Sequence, residues 1–236
     1  ARHESHPDLT YSDVNSQLPF GTDSGAHSAG SGAVCRLPNK GFCVRPALPD
    51  FITRLRNNCD PALTMAATAS EMGRIDAVYA NAGIGYGATN FTEMTTEAYR
   101  KVLSVNLDGV FFTFREACKH MVERSKAGDP GGTIVGVASL AAIEGAGRNE
   151  HYAATKGAVI SMMKGVAVEF ARHGVRANAI LPGWIATDMT AGAQAAPAFA
   201  EKVIPRVPAR RWGEPADFGG VAVYLASDAS SYHSGQ

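Results

Sequence analysis

The sequence predicts an α/β fold, a single domain built on a doubly wound parallel sheet. Three observations lead there. From Ile75 onward, short apolar runs alternate with long amphipathic stretches. Those stretches are too long for hairpins, so consecutive strands must be joined by right-handed crossovers and lie parallel. The chain is also long enough, at 236 residues with 45% hydrophobic content, to bury one large core.

The elements follow in order. "IDAVYA" (75–80) is a short apolar run and the first clear strand. "TTEAYRKVLSVNLDGVFFTFREACKHMVERS" is a long helix, with Tyr99, Val102, Leu103, Val110, Phe114, Ala117, Cys118 and Met121 recurring at helical spacing. Thr95 or Thr96 offers its N-cap, and Glu97 lies in its first turn. The breaker "GDPGG" then leads into the strand "GTIVGVAS". A helix opening near Tyr152 follows, and "GVRANAIL" is the next strand, ended by Pro182-Gly183. Residues 1–74 read differently. They are rich in Gly, Ser and Pro, and only "GFCV" as a strand and "ALTMAATASEMG" as a helix suggest pieces of a βαβ unit. No internal repeat is visible.

Composition narrows the function class. Lys and Arg together number 22, as do Asp and Glu, so the formal charge is zero and argues against a nucleic-acid or anionic-membrane partner. No stretch approaches the roughly 18 apolar residues of a membrane span. The first twenty residues are polar and lack an apolar signal core. Cys35, Cys43, Cys59 and Cys118 show no CxxC spacing and read as free thiols in a reducing compartment. The expectation is a cytoplasmic protein. His3, Glu4 and His6 read as a polar tail, and no metal is expected.

In an open parallel sheet, ligands bind beyond the carboxyl ends of the strands. Asn81-Ala82-Gly83 follows the first strand, Ser139 closes the second, and Pro182-Gly183 ends the third. Small residues there let a ligand approach the backbone. Tyr152 and Lys156, at i and i+4, share one helix face. Tyrosine ordinarily titrates near ~10, and a fixed ammonium nearby favours the phenolate. Such a phenol can take a proton from an alcohol or give one to a carbonyl. A surface cation–aromatic pair is the plainer alternative, at odds with the apolar helix around it. Ser139 can reach a substrate oxygen if "LAAIEGAGRNEH" loops back. Asn106 falls on the apolar stripe of its helix, where a buried amide must find partners. It is either a satisfied core residue or a water-bridged neighbour of Lys156.

Together these residues resemble the short-chain dehydrogenase/reductase family, from roughly Gly73 to Gln236. The resemblance rests on Asn81-Ala82-Gly83, Asn106 within "SVNLDGVFF", Ser139, Tyr152-x3-Lys156 and "LPGWIATDM" from Leu181 to Met189. It implies a Rossmann-like single domain over residues 1–236, NAD or NADP as cofactor, and reversible hydride transfer between a secondary alcohol and a ketone. By the same resemblance Tyr152 is the general acid/base. Lys156 holds the nicotinamide ribose and depresses the tyrosine pKa, Ser139 orients the substrate oxygen, and Asn106 supports a proton-relay water. Asn81, Ala82 and Gly83 line the cofactor, while Pro182, Gly183, Ile185 and Thr187 line its nicotinamide and phosphate end. The family's pyrophosphate turn, TGxxxGxG, has only a loose counterpart in Gly25, Gly30 and Gly32, whose spacing departs from it. Asp60 echoes an aspartate that contacts adenine. Arg45 and Asp50 point in opposite directions on NAD against NADP.

The competing reading is a non-catalytic relative, structural or regulatory, with a decayed nucleotide site. The complete Ser139, Asn106, Tyr152, Lys156 set speaks for the enzyme, and the altered glycine turn for the alternative. Residues of about 184–212 are expected to form a substrate lid over a mostly apolar pocket. The two long helices carry more apolar surface than one sheet-facing stripe needs, notably at Val159, Met162, Met163, Val166 and Phe170. A homodimer or homotetramer is therefore expected, with Phe114 and Val166 at its helix interface.

Overall fold

The computed structural model describes residues 32–36, 42–43, 61–85 and 90–236. In chain order these form β1 (Gly32–Arg36), β2 (Phe42–Cys43), α1 (Pro61–Met72), β3 (Ala77–Ala80), α2 (Thr96–Leu103), α3 (Gly109–Lys126) and β4 (Gly132–Val137). There follow α4 (Ala141–Glu144), α5 (Glu150–Phe170), β5 (Val175–Ile180), α6 (Ala191–Gln194), α7 (Pro197–Val203) and α8 (Gly219–Ala226). The sheet order is β2-β1-β3-β4-β5. β3, β4 and β5 are parallel, with Ala77 opposite Thr133 and Thr133 opposite Arg176, as the strand–helix alternation predicts. β1 and β2 are not. β2 pairs antiparallel with β1 because residues 37–41 are too few for a crossover, and β1 runs antiparallel to β3, with Gly32 opposite Tyr79. An antiparallel edge on a parallel sheet is a common arrangement in mixed α/β folds.

Helices cover both faces. On one, Val110, Phe114 and Met121 of α3 and Val159 and Met163 of α5 pack on Val78, Ile134, Val175 and Ala177, all nearly inaccessible to water. Gly136 explains how closely they pack: a β-carbon there would come within 2.8 Å of Val159 and 3.1 Å of Phe114. On the other face, Tyr79 donates its hydroxyl to the Ala222 carbonyl of α8. Arg176 donates to Leu225 and Ser227 carbonyls and to Ser230. Residues 233–236 then run beside β5, with Gly235 donating to Ala177 and Ala179 to Gln236, each at 2.8 Å.

Two expectations about helix faces are corrected here. Phe114 does not face outward, and neither do Val159 or Met163. All three are sealed in the core, and Val166 packs partly against it. Much of the apolar surplus of α5 is consumed inside the chain, and α3 leaves Phe111 and Phe112 in solvent, with the Arg115 guanidinium over both rings. Tyr99, expected on the buried stripe, is 44% exposed.

Candidate active site

The ends of β3 and β4 and the start of α5 bring the predicted residues together. Asn106 lies on a π-helical turn, Ser104–Asp108, inserted between α2 and α3, where the Gly109 N–H reaches back to the Ser104 carbonyl. Such turns recur at functional sites because they re-aim side chains without ending the helix. Here the turn delivers Asn106, fully buried, to the chain leaving β3. Its Oδ1 accepts from the Ile84 N–H at 2.8 Å, and its Nδ2 donates to the Ile84 carbonyl at 2.9 Å. The amide is thus spent on clamping the Asn81–Gly85 segment. Of the two sequence readings, a satisfied buried amide describes its direct contacts.

Gly83 sits where that segment meets the helix. A β-carbon on it would lie 3.3 Å from the Lys156 Nζ and 3.6 Å from the Asn106 Oδ1. Lys156 is only 3% exposed and donates to the Val137 carbonyl at 2.7 Å, fixing its ammonium at the carboxyl end of β4. Burial pushes its pKa down to about 8. The same Nζ lies 5.6 Å from the centroid of the Tyr152 ring.

Tyr152 differs from expectation in one respect. Burial raises its phenol above the ordinary tyrosine value, and a hydrogen bond with Ser139 pulls the other way. The Lys156 ammonium stays near the ring, held by its bond to the Val137 carbonyl. The half-buried phenol keeps its proton at neutral pH. Ser139 is held in turn by the zipped ends of β4 and β5: Ala138 donates to the Ile180 carbonyl and Leu140 to the Pro182 carbonyl. Its Oγ also accepts from Ala141 at 3.2 Å.

Pro182 and Gly183 therefore stand beside Ser139, and Gly183 faces Leu140. Ile185 forms an isolated bridge with Gly213, and Trp184 stacks edge-on with Phe199 and Trp212. Thr187 and Thr190 cap one another, side chain to backbone, so the Thr187 N–H is turned toward Thr190. Thr187 and Asp188 line an open hollow of about 560 Å³ together with Ala186, Ala191, Gln194 and Ala195. Gly32, expected in a turn, opens a strand instead. Gly25, Gly30 and Asp60 lie outside the described residues.

Ile84 and the Val137 carbonyl were not legible as site groups. A buried Asn on an apolar stripe signals that some backbone partner exists, but only the tertiary fold selects Ile84. Asn149, beside Gly85 and Met189, was also missed, although an N-cap-type residue heading the Tyr152 helix was its signal.

Comparison with known proteins decides the family. A family model described as enoyl-(acyl carrier protein) reductase matches residues 57–236. The chain belongs to the short-chain dehydrogenase/reductase family. It is 36% identical over 165 residues to the L-rhamnose-1-dehydrogenase of Scheffersomyces stipitis, covering 70% of this chain and 62% of that protein. It is 35% identical over 175 residues to the 2-dehydro-3-deoxy-D-gluconate 5-dehydrogenase of Escherichia coli, covering 74% of this chain and 67% of the relative. A gluconate 5-dehydrogenase from Burkholderia cenocepacia, solved in complex with NADP and tartrate, superposes with a TM-score of 0.70 at 32% identity, covering 75% of this chain and 67% of that one. The chain thus spans less than two-thirds of the rhamnose dehydrogenases it matches. Among the described residues no helix is long and apolar enough to cross a membrane.

Proposed function

We propose that this short-chain dehydrogenase/reductase interconverts a secondary alcohol and a ketone, with NAD or NADP as the hydride carrier. The observation that carries the reading is the cluster of a buried Lys156, a half-buried Tyr152 bonded to Ser139, and a glycine, Gly83, whose missing side chain leaves the backbone open beside Lys156. That opening fits a cofactor ribose: any side chain larger than hydrogen at Gly83 would crowd the Lys156 ammonium. Asn81, Ala82, Gly83 and Lys156 on one side, and Pro182, Gly183, Ile185 and Thr187 on the other, would hold the cofactor. When bound, the nicotinamide supplies or accepts the hydride.

The side chains supply the rest. Tyr152 donates its proton to the carbonyl oxygen in the reductive direction, and its raised pKa keeps that proton in place at neutral pH. In the oxidative direction the phenolate is needed, so alcohol oxidation rises with pH. Ser139, already bonded to the phenol, orients the same substrate oxygen. Lys156, held by Val137, offers its ammonium to the ribose, and Asn106 acts as a positioning residue by pinning Ile84 and the adjoining Gly83. A relay water near Asn106 belongs to this proposal.

The relatives' names cover sugar and sugar-acid dehydrogenases, which supports a small hydroxylated substrate. No nucleic acid or membrane partner enters the scheme, and a cytoplasmic setting suits it. We place a homodimer or homotetramer contact on the exposed Phe111 and Phe112 face of α3. The test is turnover: the protein is offered NADH and NADPH with a panel of ketones, and cofactor binding is followed by nicotinamide fluorescence. Saturable binding with oxidation of one cofactor is expected. Binding without turnover of any panel member would favour the non-catalytic reading, and no binding at all would overturn the proposal.

A further inference from the structure

Buried polar atoms without a partner collect at one place. Of the six such side-chain atoms among the described residues, four belong to three consecutive residues, Asn149 Oδ1, Glu150 Oε2 and both ring nitrogens of His151. His151 is only 3% exposed. Folded proteins leave few groups in this condition, because each forfeits its bond to water and gains nothing in return. These three immediately precede Tyr152.

Asn149 adds a second, independent observation. It occupies the N-cap position of α5, where an asparagine side chain ordinarily accepts a hydrogen bond from the first turn, yet it makes no capping bond. Its amide is turned instead toward Gly85 and the lid: a β-carbon on Gly85 would lie 3.7 Å from the Asn149 Nδ2 and 3.8 Å from the Met189 sulfur. The segment that runs beside Lys156 at Gly83 therefore runs beside Asn149 two residues later. The backbone around it is held in an unusual shape, with Arg148 at φ 67°.

We infer that Asn149 is a specificity-determining residue that grips a second hydroxyl of an uncharged polyhydroxylated substrate, beyond the carbon at which Tyr152 works. This rests on the proposed alcohol–ketone activity and extends it to a substrate class. Hydroxyls match the Asn149 amide because they donate and accept: Nδ2, turned toward Gly85, donates, and the unpartnered Oδ1 accepts. A carboxylate only accepts, so it would leave the Asn149 Oδ1 unpartnered next in sequence to Glu150, whose Oε1 already accepts from the Arg148 N–H at 2.9 Å. A neutral sugar or polyol fits where a sugar acid does not.

The test compares neutral aldoses and polyols, gluconate, and the monohydric cyclohexanol on the wild type, Asn149→Ala and Asn149→Ser. Serine caps helices well, so it preserves the start of α5 while withdrawing the amide. The expected result is a wild-type preference for a neutral polyhydroxylated substrate over both others. Both variants should lower its kcat/KM relative to cyclohexanol by about tenfold or more, chiefly through KM. A preference for gluconate, or equal losses on polyol and cyclohexanol, would overturn the inference. Calorimetric binding of the same polyols to NADPH-loaded Tyr152→Phe protein keeps the two proposals apart. Polyol binding that Asn149→Ala abolishes supports the inference even if turnover fails, and binding that Asn149→Ala leaves intact overturns it.

Discussion

Replacing Asn106 by alanine isolates the contact that ties the π-turn to the site. The side chain makes two hydrogen bonds to one residue, the Ile84 N–H and carbonyl, at 2.8 and 2.9 Å. Each such bond contributes about 0.5–1.5 kcal/mol net, and a backbone group left unpaired costs about 1–3 kcal/mol where water cannot reach it. Ile84 is only partly buried, so water recovers some of that. The expected loss is about 2–4 kcal/mol, a fall in Tm of roughly 5–15 °C for a chain of this size. Asn106→Asp should do no better, since it keeps an acceptor for the N–H but sets a carboxylate oxygen against the Ile84 carbonyl. Thermal unfolding by circular dichroism reads the first effect, and NADH titration reads the second. Cofactor affinity should weaken because Gly83, the next residue along the chain, is no longer held in place to keep the space beside Lys156 open. A variant that melts within about 1 °C of wild type would refute the clamp.

Two further predictions follow from burial. Lys156 titrates at about 8 in the fold against 10.5 when unfolded, so between those values the unfolded chain holds a proton that the native chain does not. Stability therefore rises with pH across that window, by up to about 3 kcal/mol, and the penalty is fully present below pH 8. Lys156→Met should flatten this slope and raise Tm at pH 7 while weakening cofactor binding, and an unchanged stability–pH profile would contradict the assignment. Gly136→Ala forces a methyl to within 2.8 Å of Val159 and 3.1 Å of Phe114, costing about 1–3 kcal/mol in urea unfolding. A neutral result there would mean that α3 and α5 are less tightly seated than described.

How much of this was legible differs from element to element, for physical reasons. β3 and β4 could be read because a strand buried on both faces is a nearly continuous apolar run, as "TIVGV" and "AVYA" are. Tyr152 and Lys156 could be read because helical spacing fixes which face they share. The π-turn could not. The buried positions Ala98, Val102, Asn106, Val110 and Phe114 recur every four residues, wider than the 3.6 of an α-helix, and the turn takes up the difference. A stripe drawn at 3.6 slips there, which is why Tyr99 was assigned to the core and lies in solvent. The direction of the Tyr152 shift was also out of reach: spacing brings the ammonium near the ring, but the burial that raises the phenol follows only from the tertiary fold. The tract before Pro61 offers no periodicity to read, and the antiparallel course of β1 depends on pairing with β3, which lies far along the chain.

The central claim is that Tyr152 passes the proton while hydride moves to or from a nicotinamide. It is tested most directly by single-turnover hydride transfer in Tyr152→Phe, with cofactor affinity measured on the same preparation. The substitution removes one hydroxyl from a side chain whose ring position is set by α5 and Lys156. The account predicts a rate lower by a hundredfold or more, with NAD(P)H affinity within about threefold of wild type. Hydride transfer at the wild-type rate in that variant would contradict it.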